Sequence, residues 1–119
     1  NTLFAISKTG EHMAPAALSR GTAEQLYLAV RFSYIRHQAR KSDPLPVIMD
    51  DILVNFDPFR ARKAAEAIMR LSASHQVLLF TCHPETTAVF QDIDHGIPIY
   101  RLDAGHIMAP EKSPGPEKN

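Results

Sequence analysis

Two stretches of unbroken apolar residues dominate the pattern along this chain. Pro46-Val47-Ile48-Met49 runs into Asp50-Asp51, and Gln76-Val77-Leu78-Leu79-Phe80-Thr81 runs into Cys82-His83. A short apolar run without alternation predicts a strand covered on both faces, as in a largely parallel sheet. Between them, Ala61, Ala64, Ala65, Ile68 and Leu71 recur at helical spacing behind Asp57-Pro58. That dipeptide is a helix start: an N-cap residue followed by Pro at the first helical position. Pro84-Glu85 opens a second, shorter helix that is expected to reach about Phe90.

The segment before these elements is less regular. Leu3-Phe4-Ala5-Ile6 predicts a short strand, Lys8-Thr9-Gly10 a turn, and Glu11 to Ala17, with Pro15, a connecting loop. From Thr22 to about Arg40 there is neither Gly after the start nor Pro, and Lys41-Ser42-Asp43-Pro44 ends the helix this predicts. Leu26, Ala29, Val30, Ser33, Tyr34 and His37 form what reads as its main inward stripe, with Leu28, Phe32 and Ile35 on another face. Apolar residues on two faces predict packing on both sides. At the other end, Ile97–Leu102 and Gly105–Met108 read as a closing hairpin around Asp103-Ala104.

The order of elements predicts an α/β fold, a mostly parallel sheet flanked by helices. One domain is expected over 1–108. The remainder, 109–119, is rich in Pro, Glu, Lys and Ser, carries nothing that could build a core, and is expected to be disordered.

Composition narrows the function classes by subtraction. Thirteen basic residues balance thirteen acidic ones among 119, so net charge announces neither nucleic acid nor a membrane surface. The single cysteine, Cys82, excludes an internal disulfide and fits a reducing compartment. No apolar run approaches the roughly 20 residues a spanning helix needs. A cytoplasmic location, possible association with the nucleoid and no membrane partner are the expectations. The chain opens at Asn1 rather than Met, which fits an excised piece.

Candidate chemistry sits where α/β sheets bind ligands, at the carboxyl ends of strands. A carboxylate such as Asp50 there can hold Mg²⁺, and a neighbour such as Asp51 can orient an attacking water. Asp also favours turns, so the pair alone decides nothing. Ser19 and Gly21, just before a helix, offer free backbone N–H groups to a phosphate, although Ser19 equally suits a plain N-cap. Glu24, near the first turn, fits either account. His83 could donate a hydrogen bond to a terminal phosphate, or be an ordinary satisfied histidine. The other histidines, His12, His37, His75, His95 and His106, lack metal-ligand spacing. Cys82 and His83 do not read as a nucleophile–base pair, because adjacent side chains on a strand point to opposite faces.

The order of these pieces carries more than any one of them. Leu18-Ser19-Arg20-Gly21-Thr22, a helix, Val47-Ile48-Met49-Asp50-Asp51, Val54-Asn55-Phe56-Asp57 and Leu79-Phe80-Thr81-Cys82-His83 follow one another. This resembles the signature motif, Walker B, D-loop and H-loop of an ABC ATPase head. The wording is closest to SMC-like and double-strand-break-repair ATPases, the RecF/RecN-like group and the large bacterial YhaN-like proteins among them. The resemblance covers about Leu3 to Met108 and implies the C-terminal lobe of a P-loop NTPase.

It further implies that Asp50 supports Mg²⁺ and that Asp51 polarises the attacking water. Ser19, Arg20, Gly21 and Thr22 would meet the γ-phosphate of ATP held by a second head. Asn55 and Asp57 would lie in the D-loop, with Asp57 crossing the dimer interface, and His83 would sense the γ-phosphate within its own head. Two positions depart from the pattern: Arg20 replaces the usual second Gly of the signature, and Asp51 replaces the usual catalytic Glu. RecF-like relatives also carry Asp there.

No G-x-x-x-x-G-K-[ST] occurs in the chain, so the Walker A phosphate cradle is missing. In SMC-like proteins it lies on an N-terminal segment beyond a long coiled coil. The expectation is therefore a lobe of a longer ATP hydrolase that by itself is inactive. Its expected partners are the N-terminal Walker A lobe, a second head in a homodimer, and DNA in the full-length protein. Two alternatives stand beside this reading. A transporter nucleotide-binding domain would keep Walker A and signature in one compact chain, and a non-catalytic docking module would not need Asp50, Asp51 and His83 together.

Overall fold

The computed structural model describes residues 4–41 and 43–110. Its centre is a parallel pair of strands, β3 (Val47–Asp50) and β4 (Val77–Phe80), joined by a crossover helix, α2 (Pro58–Ser72). The register pairs Val47 with Val77 and Asp50 with Phe80. Asp51 N–H extends the ladder by donating to the Phe80 carbonyl at 2.9 Å. Both strands therefore end at the same level, and whatever follows one lies beside whatever follows the other.

α2 starts where its sequence says it should. Asp57 accepts from the Arg60 N–H at 2.9 Å, and Pro58 stands in the first turn. Ala64, Ala65, Ile68 and Leu71 are buried, with Ala61 half-buried beside them. With Met49, Leu53 and Phe90 they form the core, against which Val47, Val77 and Leu79 also pack. Phe90 comes from α3 (Pro84–Ile93), which runs one turn further than expected. Full burial of a side chain such as Ile68 is worth roughly 1.5–3 kcal/mol, so this small cluster carries much of the fold.

The sheet is not covered on both faces. Ile48 is 69% exposed, and Leu78 and Phe80 on the same face of β4 are 43% and 45% exposed. Strand side chains alternate between faces, and the described core lies against Val47, Met49, Val77 and Leu79 alone. The apolar runs that predict two-sided burial thus have one side open among the described residues.

The long helix, α1 (Arg20–Gln38), begins two residues before the expected start, with Ser19 as its cap. The expected inward stripe is the wrong face. Leu28, Phe32 and Ile35 pack against the core, whereas Ala29, Val30, Ser33, Tyr34 and His37 are exposed. The helix has apolar residues on two sides, so periodicity could not choose between them.

The remaining strands form two small hairpins. β1 (Ala5–Ile6) pairs antiparallel with β2 (His12–Met13), inside the segment expected to be a loop, and a single turn of 3₁₀ helix follows at Pro15–Ala17. β5 (Arg101–Asp103) pairs antiparallel with β6 (His106–Met108) across Ala104-Gly105, both with positive φ. The closing hairpin is present but shorter than expected, since Ile97 to Tyr100 is outside it. The described residues therefore make a mixed α/β fold with one parallel pair and two antiparallel hairpins rather than a mostly parallel sheet. Residues 111–119 of the expected tail, and Leu3 and Ser42 at expected element ends, lie outside the described residues.

Candidate functional site

The aligned ends of β3 and β4 bring Asp51 against Thr81, Cys82 and His83. Asp51 takes a left-handed backbone conformation (φ 45°), which turns the chain sharply out of β3. Leu53, 4% exposed, then anchors the loop in the core. The Thr81 hydroxyl donates to Asp51 Oδ1 at 2.7 Å, and the Cys82 N–H donates to the same oxygen at 3.3 Å. Oδ2 faces the Cys82 Sγ at 3.4 Å and the His83 Nε2 at 3.9 Å. His83 is the N-cap residue of α3, and its own N–H donates to Thr81 Oγ1 at 3.1 Å.

These donors set the electrostatics. The Thr81 hydroxyl holds the Asp51 carboxyl below its ordinary value; partial desolvation opposes this, and the Cys82 thiol, the Cys82 N–H and the His83 ring add to the lowering. The same carboxylate pushes the Cys82 thiol up, through its hydrogen bond and its charge. A raised thiol is a poor nucleophile, which agrees with the sequence reading of Cys82. The geometric part of that reading is corrected. β4 ends at Phe80, so the alternation rule does not reach Cys82 and His83, and both face Asp51.

Asp50 is exposed at the last position of β3. It presents hard carboxylate oxygens, the donor type that Mg²⁺ takes, at the strand ends where α/β folds bind ligands.

The second group of residues gathers at the start of α1. Ser19 Oγ accepts from the Thr22 N–H at 3.3 Å and lies 2.8 Å from Thr22 Oγ1. It is a true cap, and it is exposed. A Cβ added at Gly21 would fall 2.9 Å from Arg60 Nη1 and 3.4 Å from the Asn55 carbonyl oxygen. Gly21 thus lies against the Asn55–Arg60 segment, where a larger residue would first have to displace the end of the Arg60 side chain. Glu24 completes the junction, its Oε1 accepting from Asn55 Nδ2 at 2.8 Å and from Arg20 Nε at 3.3 Å. Because α1 starts at Arg20, Glu24 falls in the second turn and works as a cross-link rather than a dipole partner. Asp57, the α2 cap, also pairs with Arg60 Nε at 3.3 Å.

The structure thus makes two clusters of the expected residues: Asp50, Asp51 and His83 at the strand ends, and Ser19 through Thr22 with Asn55 and Asp57 around the start of α1. An open cleft of ≈ 270 Å³ lies between them, lined by Glu24, Tyr27, Leu28, Arg31, Asp51, Ile52 and Asn55. Sequence reasoning missed Thr81 as the residue that orients Asp51, although it stands in the run leading to His83. It also missed Tyr27 and Arg31, for which spacing on an unoriented helix held no signal. His75 is buried, its Nδ1 2.9 Å from Ser74 Oγ, an ordinary satisfied histidine.

No family model matches the chain. Among curated proteins it is similar to the uncharacterized protein YhaN of Bacillus subtilis, 33% identical over 91 residues, which are 76% of this chain and 9% of YhaN. It is also similar to the uncharacterized proteins Rv1278 of Mycobacterium tuberculosis and Mb1309 of Mycobacterium bovis, each 39% identical over 67 residues, 56% of this chain and 8% of theirs. The match spans less than a tenth of the length of each of these relatives.

Proposed function

We propose that this chain is the C-terminal lobe of an SMC-like ABC ATPase head, part of a longer protein that binds and hydrolyses ATP between two heads in DNA repair, recombination or chromosome maintenance. The observation that carries the reading is the meeting of Asp51 with His83, Nε2 to Oδ2 3.9 Å, across the ends of two parallel strands. The similarity to a short stretch of much longer proteins agrees with it.

In this reading Asp51 orients the attacking water, with Thr81 holding its carboxylate ionised and fixed. His83, at the start of α3, donates to the terminal phosphate. Asp50 would hold Mg²⁺, which when bound neutralises charge on the phosphates. Ser19, Arg20, Gly21 and Thr22 would face ATP on a second head, and Asn55 and Asp57 would lie at that interface. Ser19 caps the helix and is at the same time an exposed residue, so capping and contact with a second head are compatible. The Walker A lobe of the same protein would grip the nucleotide and cover the open face of Ile48, Leu78 and Phe80.

The test is ATPase turnover of the full-length protein, with and without DNA, against its Asp51→Asn variant. Loss of hydrolysis with ATP-driven head association retained is the expected result. An Asp51→Asn protein that turns over at the normal rate would give the water-orienting role to another residue, and a full-length protein with no turnover, with or without DNA, would overturn the reading.

A further inference from the structure

We propose that Asp51, Cys82 and His83 form a binding site for a thiophilic divalent cation of the Zn²⁺ class. The inference does not depend on ATP chemistry. It rests on one carboxylate oxygen, one sulfur and one imidazole nitrogen that all lie within 4.8 Å of one another. Among the described residues no other trio of such side chains comes together in this way.

The geometry is close to what the ion needs. Bonds of about 2.0 Å to oxygen and nitrogen and about 2.3 Å to sulfur, at tetrahedral angles, separate ligand atoms by roughly 3.3–3.6 Å. Cys82 Sγ and Asp51 Oδ2 are 3.4 Å apart, and His83 Nε2 and the same oxygen are 3.9 Å apart. With all three ligand atoms already within 4.8 Å of one another, closing the trio on an ion takes a movement of the His83 ring of at most roughly 1–1.5 Å. Asp51 needs none, because Thr81 and the Cys82 N–H hold Oδ1 and leave Oδ2 facing the other two ligands. Metal-ligating side chains are commonly fixed by an outer hydrogen bond of this kind.

The ligand set selects the metal class. Sulfur, imidazole and a single carboxylate suit Zn²⁺ or Co²⁺, whereas Mg²⁺ takes an octahedron of oxygens. Three protein ligands leave a fourth position for water, the open arrangement of non-structural zinc sites. Cys82 is exposed, so an ion has direct access. Coordination converts the thiol to a thiolate and releases its proton to solvent. An ion held here occupies Asp51 Oδ2, so metal binding and water activation by Asp51 exclude each other.

The experiment is a Co²⁺ titration of the purified, reduced chain, with folding checked by circular dichroism. A thiolate-to-cobalt charge-transfer band with intense d–d bands should saturate at one ion per chain, and Zn²⁺ should bleach it. Cys82→Ser should abolish the charge-transfer band, and His83→Ala and Asp51→Asn should each weaken Co²⁺ binding, all three remaining folded. Absence of the band in the parent chain overturns the proposal. So does one ion per two chains, which marks bridging by exposed cysteines, or Zn²⁺ affinity unchanged in a folded Cys82→Ser variant.

Discussion

The Thr81 hydroxyl lies 2.7 Å from Asp51 Oδ1 and donates to it, across the gap between the two central strands. The same oxygen of Thr81 accepts the His83 N–H at 3.1 Å, so one hydroxyl positions both the carboxylate and the turn into α3. Neither link is a backbone ladder bond. The first exists because the parallel register ends Asp50 opposite Phe80, and the second is local, closed within the two residues after Thr81.

Thr81→Val keeps the shape of the side chain and removes this donor. The Asp51 carboxyl should then titrate higher, since its largest lowering cause is gone. A depressed carboxylate contributes stability above its unfolded value and loses it as pH falls through the folded value. The stability difference between the parent chain and Thr81→Val should therefore narrow as pH falls through the Asp51 value, leaving at the acid end only the loss of the acceptor for the His83 N–H. Carboxyl NMR titration and acid unfolding read both effects; an unchanged Asp51 midpoint would remove Thr81 from the orienting role.

Ser19 separates capping from recognition. Ser19→Ala should cost ~1 kcal/mol of stability, the ordinary value of an N-cap, measurable by urea unfolding. Ser19→Arg should cost about the same in the chain, and in the full-length protein should also block ATP-driven head association by filling the space before α1. If Ser19→Arg leaves association intact, Ser19 is a cap and nothing more.

The exposed face of the parallel pair should make the isolated chain self-associate. Ile48 and Leu78 are register partners on that face, and a bare apolar strand pair is an association liability. Light scattering across a concentration series should show growth in mass that Ile48→Lys together with Leu78→Lys suppresses. A strictly monomeric parent chain that binds no hydrophobic dye would contradict this.

Hydrolysis should be absent from the 119-residue chain alone, because the backbone cradle and lysine that grip a nucleotide's phosphates are not in its sequence. Turnover by the purified chain that Asp51→Asn abolishes would show that the cradle is dispensable.

Local chemistry was enough to define α2, because Asp57, Pro58 and a stripe of small and apolar residues state its start and its buried face together. The ends of β3 and β4 were legible for a similar reason: each apolar run gives way to a polar residue, Asp50 and Thr81. The order of the motifs placed Asp50, Asp51 and His83 in one expected group before any contact was known. What one dimension could not settle was orientation. α1 carries apolar residues on both Leu28-Phe32-Ile35 and Val30-Tyr34, and only docking against the core chose the first set. The two-residue strand at His12–Met13 has no period of its own and exists only through its partner. The meeting of Cys82 with His83 is likewise tertiary. Past Phe80 the chain leaves the pleat, and it is the hydrogen bonds to Asp51 and Thr81, thirty residues apart in sequence but side by side just beyond the ends of the paired strands, that turn both side chains to one point.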